Sequence, residues 1–442
     1  MNKLILRRLI YIFFIIVFLV VSPLVILYTM GYRYNFGKQR IQKTGIIKIT
    51  SLPRGAEIYL NGIKYEKTAT PAKIEYVLPG DYEIKLIKDG YFEWQKKLSV
   101  YENGTTFAEK IMLWKKSEAE TISTSTIIDS LISPDNNFII SINQNGEIIL
   151  TDINSGLVGE ISGGKNTIIA QIKNYNQFAL KEFSGDSRYL LLEAENNKQK
   201  DYFVLDTVIK KYQKINNGDY GSIKWNKQNN ELYATSDNQL LRFNLNNGQA
   251  TIYLNKFAVD DFLLAGRSFY TIGNNLLSEY NLKGEKIKDI ATIECLNNCQ
   301  LNSIINNKAI VLDTNKLTME LIDLDGKIKN IKINAQKINW LDTSSAMLYG
   351  DYEIFIFDSN KNEPELITRL GNKIKYATWH PKGRHLIISL EDKIKIMELD
   401  NRELRNVIDI KEASADFLIS DRAGKNIFYT IDKIGIFKLN IQ

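Results

Sequence analysis

Side chains able to do covalent or metal chemistry are scarce. His380 and His385 are the only two histidines among 442 residues. A histidine-based nucleophilic triad or a multi-histidine metal site therefore has almost nothing to draw on. In Trp379-His380-Pro381-Lys382-Gly383-Arg384-His385 the first histidine falls at a turn and the second opens a strand, which predicts surface positions for both. The two cysteines, Cys295 and Cys299, are separated by Leu296-Asn297-Asn298. Two thiols alone make a poor metal site, whereas an Asn-rich turn brings Cα atoms within disulfide reach, so the expectation is a disulfide, with free thiols as the alternative. Carboxylates are plentiful, but Asp152, Asp323 and Asp358 recur at turn positions where Asp bonds the backbone. No paired-carboxylate site stands out. No glycine-rich phosphate loop follows a strand and opens a helix. The expectation is no catalytic residue, no metal and no cofactor.

What positions these residues is mainly β-structure. Hydrophobic residues make up 44% and aromatics 11%, with 23 Tyr, a balance that suits pleated, half-buried strands. The formal charge of +6 is mild for this length, and Lys alternates with Asp and Glu rather than forming blocks. A nucleic-acid partner is not indicated.

Residues 9–30 are uncharged and overwhelmingly apolar, and as a helix they would span about 33 Å, enough to cross the hydrocarbon core. The exit, Tyr28-Thr29-Met30-Gly31-Tyr32-Arg33-Tyr34, has no small-residue cleavage site, so the segment is expected to stay as a transmembrane helix with a slight kink at Pro23. Tyr28, Tyr32 and Tyr34 suit the headgroup region as interface anchors. Lys3, Arg7 and Arg8 on one flank face Arg33, Lys38, Arg40 and Lys43 on the other, so charge alone does not orient the helix. The short leading tail, residues 1–8, favours a cytoplasmic N-terminus and leaves no room for an output domain there. Residues 31–44 read as a juxtamembrane linker.

From 45 to 114, turn signals arrive every eight to twelve residues: Leu52-Pro53, Asn61-Gly62, Leu78-Pro79-Gly80, Asp89-Gly90 and Asn103-Gly104. Short alternating strands between them predict a small β-sandwich. Pro53-Arg54-Gly55-Ala56, followed by a strand and Asn61-Gly62, then Thr70-Pro71-Ala72, Leu78-Pro79-Gly80-Asp81-Tyr82 and Gly90-Tyr91 with Trp94, resembles a PEGA domain. This chain departs from the family's Pro-Glu-Gly-Ala motif at Arg54, which puts any Glu-specific role in doubt. The resemblance implies a binding or spacer module of bacterial and archaeal surface proteins without catalytic residues. Read from the residues alone, the Pro and Gly of the motif fix a tight turn between strands.

Residues 117–442 are repetitive. Leu131-Ile132-Ser133-Pro134-Asp135, then Gly146-Glu147-Ile148-Ile149-Leu150, then Asp152-Ile153-Asn154-Ser155-Gly156 make one unit. Asp152, Asp206, Asn244, Asn281, Asp323, Asp358 and Asp400 mark the same turn and, apart from a longer first gap, stand at blade-length spacing. Strand counting predicts a β-propeller of eight blades, with seven as the alternative. The last unit stops one strand short, and Glu120-Thr121-Ile122-Ser123-Thr124 could supply that strand and close the ring. Trp225, Trp340 and Trp379 recur on first strands, where core packing is commoner than a sugar platform. The units resemble TolB-like and WD40-like propellers, whose consensus turn survives as Ser133-Pro134-Asp135 and, degenerately, as Trp379-His380-Pro381-Lys382-Gly383. That resemblance speaks to fold, because propellers host unrelated activities.

These readings converge on an all-β protein with one N-terminal transmembrane helix: tail 1–8, helix 9–30, linker 31–44, PEGA-like sandwich 45–114 and propeller 117–442. The expected role is non-enzymatic. A single-pass cell-membrane protein, its C-terminal domains extracytoplasmic, would hold the lipid bilayer through its helix and a protein or cell-envelope glycan on its propeller. An extracytoplasmic propeller hydrolase of glycans or peptides is the alternative, which a carboxylate cluster or metal at the channel mouth would favour.

Overall fold

A computed structural model describes residues 3–66, 68–153, 166–215, 218–255, 259–295, 299–326, 330–361 and 363–442, with first-helix side chains from Leu6 onward. Asn154-Ser155-Gly156 of the first repeat, the Leu296-Asn297-Asn298 spacer and Met1-Asn2 of the tail lie outside the described residues. The chain forms two compact units. One is Met1–Ser117 with Asp400–Asn406 and Gln442; the other is Glu118–Leu399 with Val407–Ile441.

In the first unit, helix α1 (Lys3–Thr29) runs uninterrupted through Pro23. Its stretch Leu6–Thr29 is long and apolar enough to cross a membrane and none of it is buried in protein. Gly31, at φ +87°, ends it in the left-handed conformation that glycine adopts without a Cβ clash. Within the residues read as a juxtamembrane linker lies a β-hairpin, Tyr32–Asn35 paired with Arg40–Lys43. Its turn closes because the Asn35 side-chain oxygen accepts from Gly37 N at 3.0 Å and Lys38 N at 3.1 Å, a local Asx bond.

Beyond the hairpin the expected sandwich has two sheets. Gly45–Leu52 lies between antiparallel Ala72–Val77 and parallel Thr105–Met112. Facing it are Ile63–Lys64, Glu57–Leu60, Gly80–Ile87 and Trp94–Val100 in that order. Residues along Gly45–Leu52 alternate between buried and more open, so Ile47 and Ile49 enter the core with Ile58, Ile84, Leu86 and Trp94. Each such fully buried side chain contributes about 1.5–3 kcal/mol.

The second unit is a propeller whose described strands fall into eight four-stranded blades. Six are simple consecutive meanders, spanning 177–214, 223–255, 261–292, 299–333, 337–369 and 374–411. The first and last share one strand. Ala119–Ile132 begins by pairing with Ile434–Asn440, through Ala119↔Leu439 and Thr121↔Phe437, and so completes the eighth blade. It then crosses to Phe138–Asn143, through Ile127↔Asn143 and Ile132↔Ile139, and so founds the first. The strand expected to close the ring does so. Gly435 permits the crossing, since a Cβ there would stand 2.1 Å from Ser123 O.

The same turn clasp recurs in four blades. The amides of Ser133, Ser184, His380 and Asp421 each donate to the carbonyl five residues on, at 2.8–3.0 Å. In the same four turns the side chain of that residue accepts an amide from within its own turn, as Ser133 Oγ does from Phe138 N (3.1 Å) and Asp421 Oδ1 from Lys425 N (2.8 Å). The predicted surface positions of the histidines are therefore corrected: His380 is 0% and His385 5% exposed. A turn residue in one blade is covered by the next blade. His380 Nδ1 accepts from Lys382 N, so Nε2 carries the proton and donates to Gly424 O at 3.0 Å. Gly424 is required there, because a Cβ would come within 2.3 Å of that imidazole nitrogen.

Burial pushes the His380 pKa down to about 4, opposed by its bond to Gly424 O. The unfolded chain then binds the extra proton between about pH 6.5 and 4. Stability that is complete above pH 6.5 is lost as the pH falls to about 4, by up to about 3 kcal/mol. His380→Asn keeps a turn acceptor of the kind Asn226 supplies to Gln228 N. The thermal midpoint of the parent should fall faster than that of His380→Asn between pH 6.5 and 4; parallel curves would show that His380 is charged in the fold.

Candidate functional site

First strands of the blades line the propeller's centre, where side chains of neighbouring blades meet. Lys224 Nζ donates to Asp261 Oδ2 at 2.6 Å and to Leu301 O at 2.9 Å, so one lysine links three successive blades. Asp261, 3% exposed, also accepts from Ser222 Oγ and Leu301 N at 2.6 Å each, which leaves its charge fully hydrogen-bonded. Asp129 accepts from Leu180 N of the second blade at 2.8 Å, and burial raises its pKa.

Around the sixth to eighth blades the polar ring opens into a cavity of about 310 Å³, lined among others by Lys337, Tyr349, Asp351, Lys373, Lys375 and Asp416. Lys337, Lys375 and Asp416 occupy first strands of three consecutive blades. Lys337 Nζ donates to Lys375 O at 3.1 Å, and Lys375 Nζ lies 3.4 Å from Asp416 Oδ1. Asp351 pairs with Lys373 at 2.9 Å. Among the described residues no carboxylate lies within 4.0 Å of Lys337 Nζ; it stands instead 5.7 Å from the ring centres of both Tyr349 and Tyr376. Solvent reaches Lys337, yet the concave wall displaces enough water to lower its ammonium pKa, aided by the like charge of Lys373 and opposed by Asp351. Lys373 has its pKa raised by Asp351. Burial pushes Tyr376 up to about 12 and Tyr349 higher, so both remain neutral donors.

This arrangement can bind an anionic or polar group. It does not present an acid–base pair, since each lining carboxylate is engaged by its own lysine. Among the described residues no three His, Cys, Asp or Glu gather as a metal would require.

The residues singled out in the sequence lie elsewhere. Pro53, Arg54, Gly55 and Ala56 form the turn joining Gly45–Leu52 to Glu57–Leu60, with Gly55 at φ +80°. Gly55 N donates to Thr70 O at 2.7 Å, Thr70 N to Ala56 O at 3.0 Å, and Ala56 N to Thr70 Oγ1 at 3.0 Å. Ala56 is wholly buried and Arg54 exposed, which is the geometry of a structural turn. Cys295 and Cys299 lie with sulfurs 2.02 Å and Cα atoms 5.7 Å apart. Tyr28 and Tyr34 are exposed around the helix exit, and Arg33 lies 3.6 Å over the Tyr28 ring. Trp225 and Trp379 are buried, and their indole N–H groups donate at 3.0 Å to Glu182 O and Asn339 O of the preceding blade. The recurring turn acids act locally, as Asp206 Oδ1 does in accepting from Val208 N and Ile209 N. The channel-mouth lysines escaped the sequence reading. Lys337, Lys375 and Asp416 are each about one blade apart, so superposing the repeats by first strand would have aligned them.

Residues 44–113 match the PEGA domain family, so the chain carries a PEGA domain. The propeller is similar to the C-terminal WD40 domain of Sif2, at 12% identity over 73% of this chain and 98% of that one, with a TM-score of 0.52. It is also similar to the Dos1 propeller, at 14% identity over 74% and 96%, with a TM-score of 0.46. At this identity the likeness to Sif2 shows a WD40-type propeller fold and nothing of its partners. No curated protein matches the chain.

A lysine with a lowered pKa, as Lys337 has, holds more free amine at mildly alkaline pH than one with a raised pKa, as Lys373 has. Limiting amine-reactive reagent at about pH 8 should therefore modify Lys337 before Lys373, read by peptide mapping. Equal or reversed rates would show that the mouth does not perturb Lys337.

Proposed function

We propose that this protein is a membrane-anchored scaffold that holds a protein or a cell-envelope glycan outside the cytoplasm without altering it covalently. Its helix crosses the bilayer with the short basic tail inside, the PEGA domain acts as a spacer or binding module, and the propeller mouth receives the partner. The observation carrying this reading is the closed eight-bladed ring with a polar mouth. Loops and side chains on such a ring are already ordered, so binding costs little conformational entropy. The hydrolase alternative draws on Asp351 and Asp416, which line one mouth; their pairing with Lys373 and Lys375 argues against it.

Residues 45–442, made without the helix, are expected to be a soluble monomer that binds an envelope fraction and leaves it intact. Cleaved peptidoglycan, glycan or protein, at a rate proportional to protein added, would replace the scaffold reading with the enzyme. Protease applied to intact cells with an accessible surface should digest the chain beyond Tyr34, whereas full protection would reverse the orientation.

We further propose that Cys295 and Cys299 are oxidised in the native protein, as an extracytoplasmic location allows. Alkylation without reductant should then leave both unmodified by mass spectrometry; quantitative labelling would remove the disulfide and weaken the case for that compartment.

A further inference from the structure

The hairpin that follows the helix carries an apolar surface the fold does not use. Tyr34 and Ile41 are direct cross-strand partners, so their side chains share one face, and Phe36 follows at the turn with its ring 5.0 Å from that of Tyr34. Phe36 is 83%, Ile41 53% and Tyr34 48% exposed. Neighbouring apolar side chains left this open on a small element mark a contact surface.

Two observations identify what covers it. Continuity is the first: Phe36 is seven residues beyond the end of α1, at most about 23 Å of chain from it. The junction is fastened as well. Arg33 Nη1 donates to Tyr28 O at 2.7 Å and to Tyr32 O at 2.8 Å, while Thr44 N and Thr44 Oγ1 both donate to Gly31 O, at 3.0 and 2.8 Å. The hairpin's base is therefore tied to the last turn of the helix. Charge is the second: residues 1–56 contain no Asp or Glu, while the hairpin carries Arg33, Lys38, Arg40 and Lys43. Aromatic and aliphatic side chains ringed by cations beside a membrane span match the boundary between acyl chains and anionic headgroups.

We propose that the 32–43 hairpin is a second membrane contact, seating Tyr34, Phe36 and Ile41 at the lipid interface while Lys38 and Lys43 hold anionic headgroups; Arg40 stands 4.0 Å from Glu102 and is left to that carboxylate. The proposal rests on the helix spanning the bilayer. It adds that the chain is gripped at two places, so the span is held against rotation and sliding.

Photocrosslinking in the full chain tests it, with Phe36→p-benzoylphenylalanine in vesicles of neutral lipid or of neutral lipid mixed with phosphatidylglycerol. The same residue replaces Phe14, in mid-span, and Val208, exposed on the propeller, as references. Lipid adducts from position 36 should exceed those from position 208 by about ten-fold or more and rise with anionic lipid. Lys38→Gln with Lys43→Gln should abolish that rise and leave the neutral-vesicle yield unchanged. Adducts from position 14 but not 36 would overturn the hairpin contact and leave the span standing. Adducts from neither would remove the span and the proposal together. Adducts from position 36 to a protein rather than to lipid would assign the surface to a protein partner and overturn the proposal.

Discussion

A propeller depends on closing its ring. Each blade buries its faces against two neighbours, so an open ring would expose two apolar blade faces and unpaired strand edges. Here the burden falls on one strand, Ala119–Ile132, whose first half completes the last blade and whose second half founds the first. The clasps and latches elsewhere are subordinate to that closure. Indole bonds from Trp225 and Trp379 to the preceding blade fix inter-blade spacing, but they hold only while every blade is pressed by both neighbours.

Closure also decides the chemistry of the centre. Eight first strands converge there, and polar side chains that would be solvated on an open sheet are brought together. Where partners match, as in Lys224 with Asp261 and Leu301, the result is a satisfied buried network that welds three blades. Over the sixth to eighth blades the match is incomplete, and Lys337 keeps a carbonyl and two tyrosine faces but no close carboxylate among the described residues. One mechanism thus gives rigidity on one side of the channel and an unmet electrostatic demand on the other. Binding sites commonly arise in this way, because a ligand can supply what the fold leaves out.

What the sequence made legible follows from the range of each interaction. The turns at Ser133, Asp206 and Asp358 are settled within a few residues, so the repeat and the blade number could be read. The closing strand was legible because the last unit lacked a strand and Glu120–Thr124 had no other partner. His380 was misplaced because its burial depends on Gly424, forty-four residues away in the next blade. The channel mouth stayed hidden for the same reason: no local pattern shows that Lys337, Lys375 and Asp416 meet. The 32–43 hairpin is illegible for a different reason, since four-residue strands carry too little periodicity to stand out within a linker.

The junction after the helix decides how freely the helix and the PEGA domain can move against each other. A flexible tether would leave the attached domain free to sample orientations, and any partner would have to select one of them. Gly31, Arg33 and Thr44 replace that tether with a folded connection, and Arg33 also lies 4.4 Å over Tyr76 of the PEGA domain. Helix end, hairpin and sandwich are thereby joined by bonds that do not pass through a loose segment. Orientational freedom lost during folding need not be lost again on binding. Any partner of the PEGA domain therefore meets a surface whose orientation to the helix is already set.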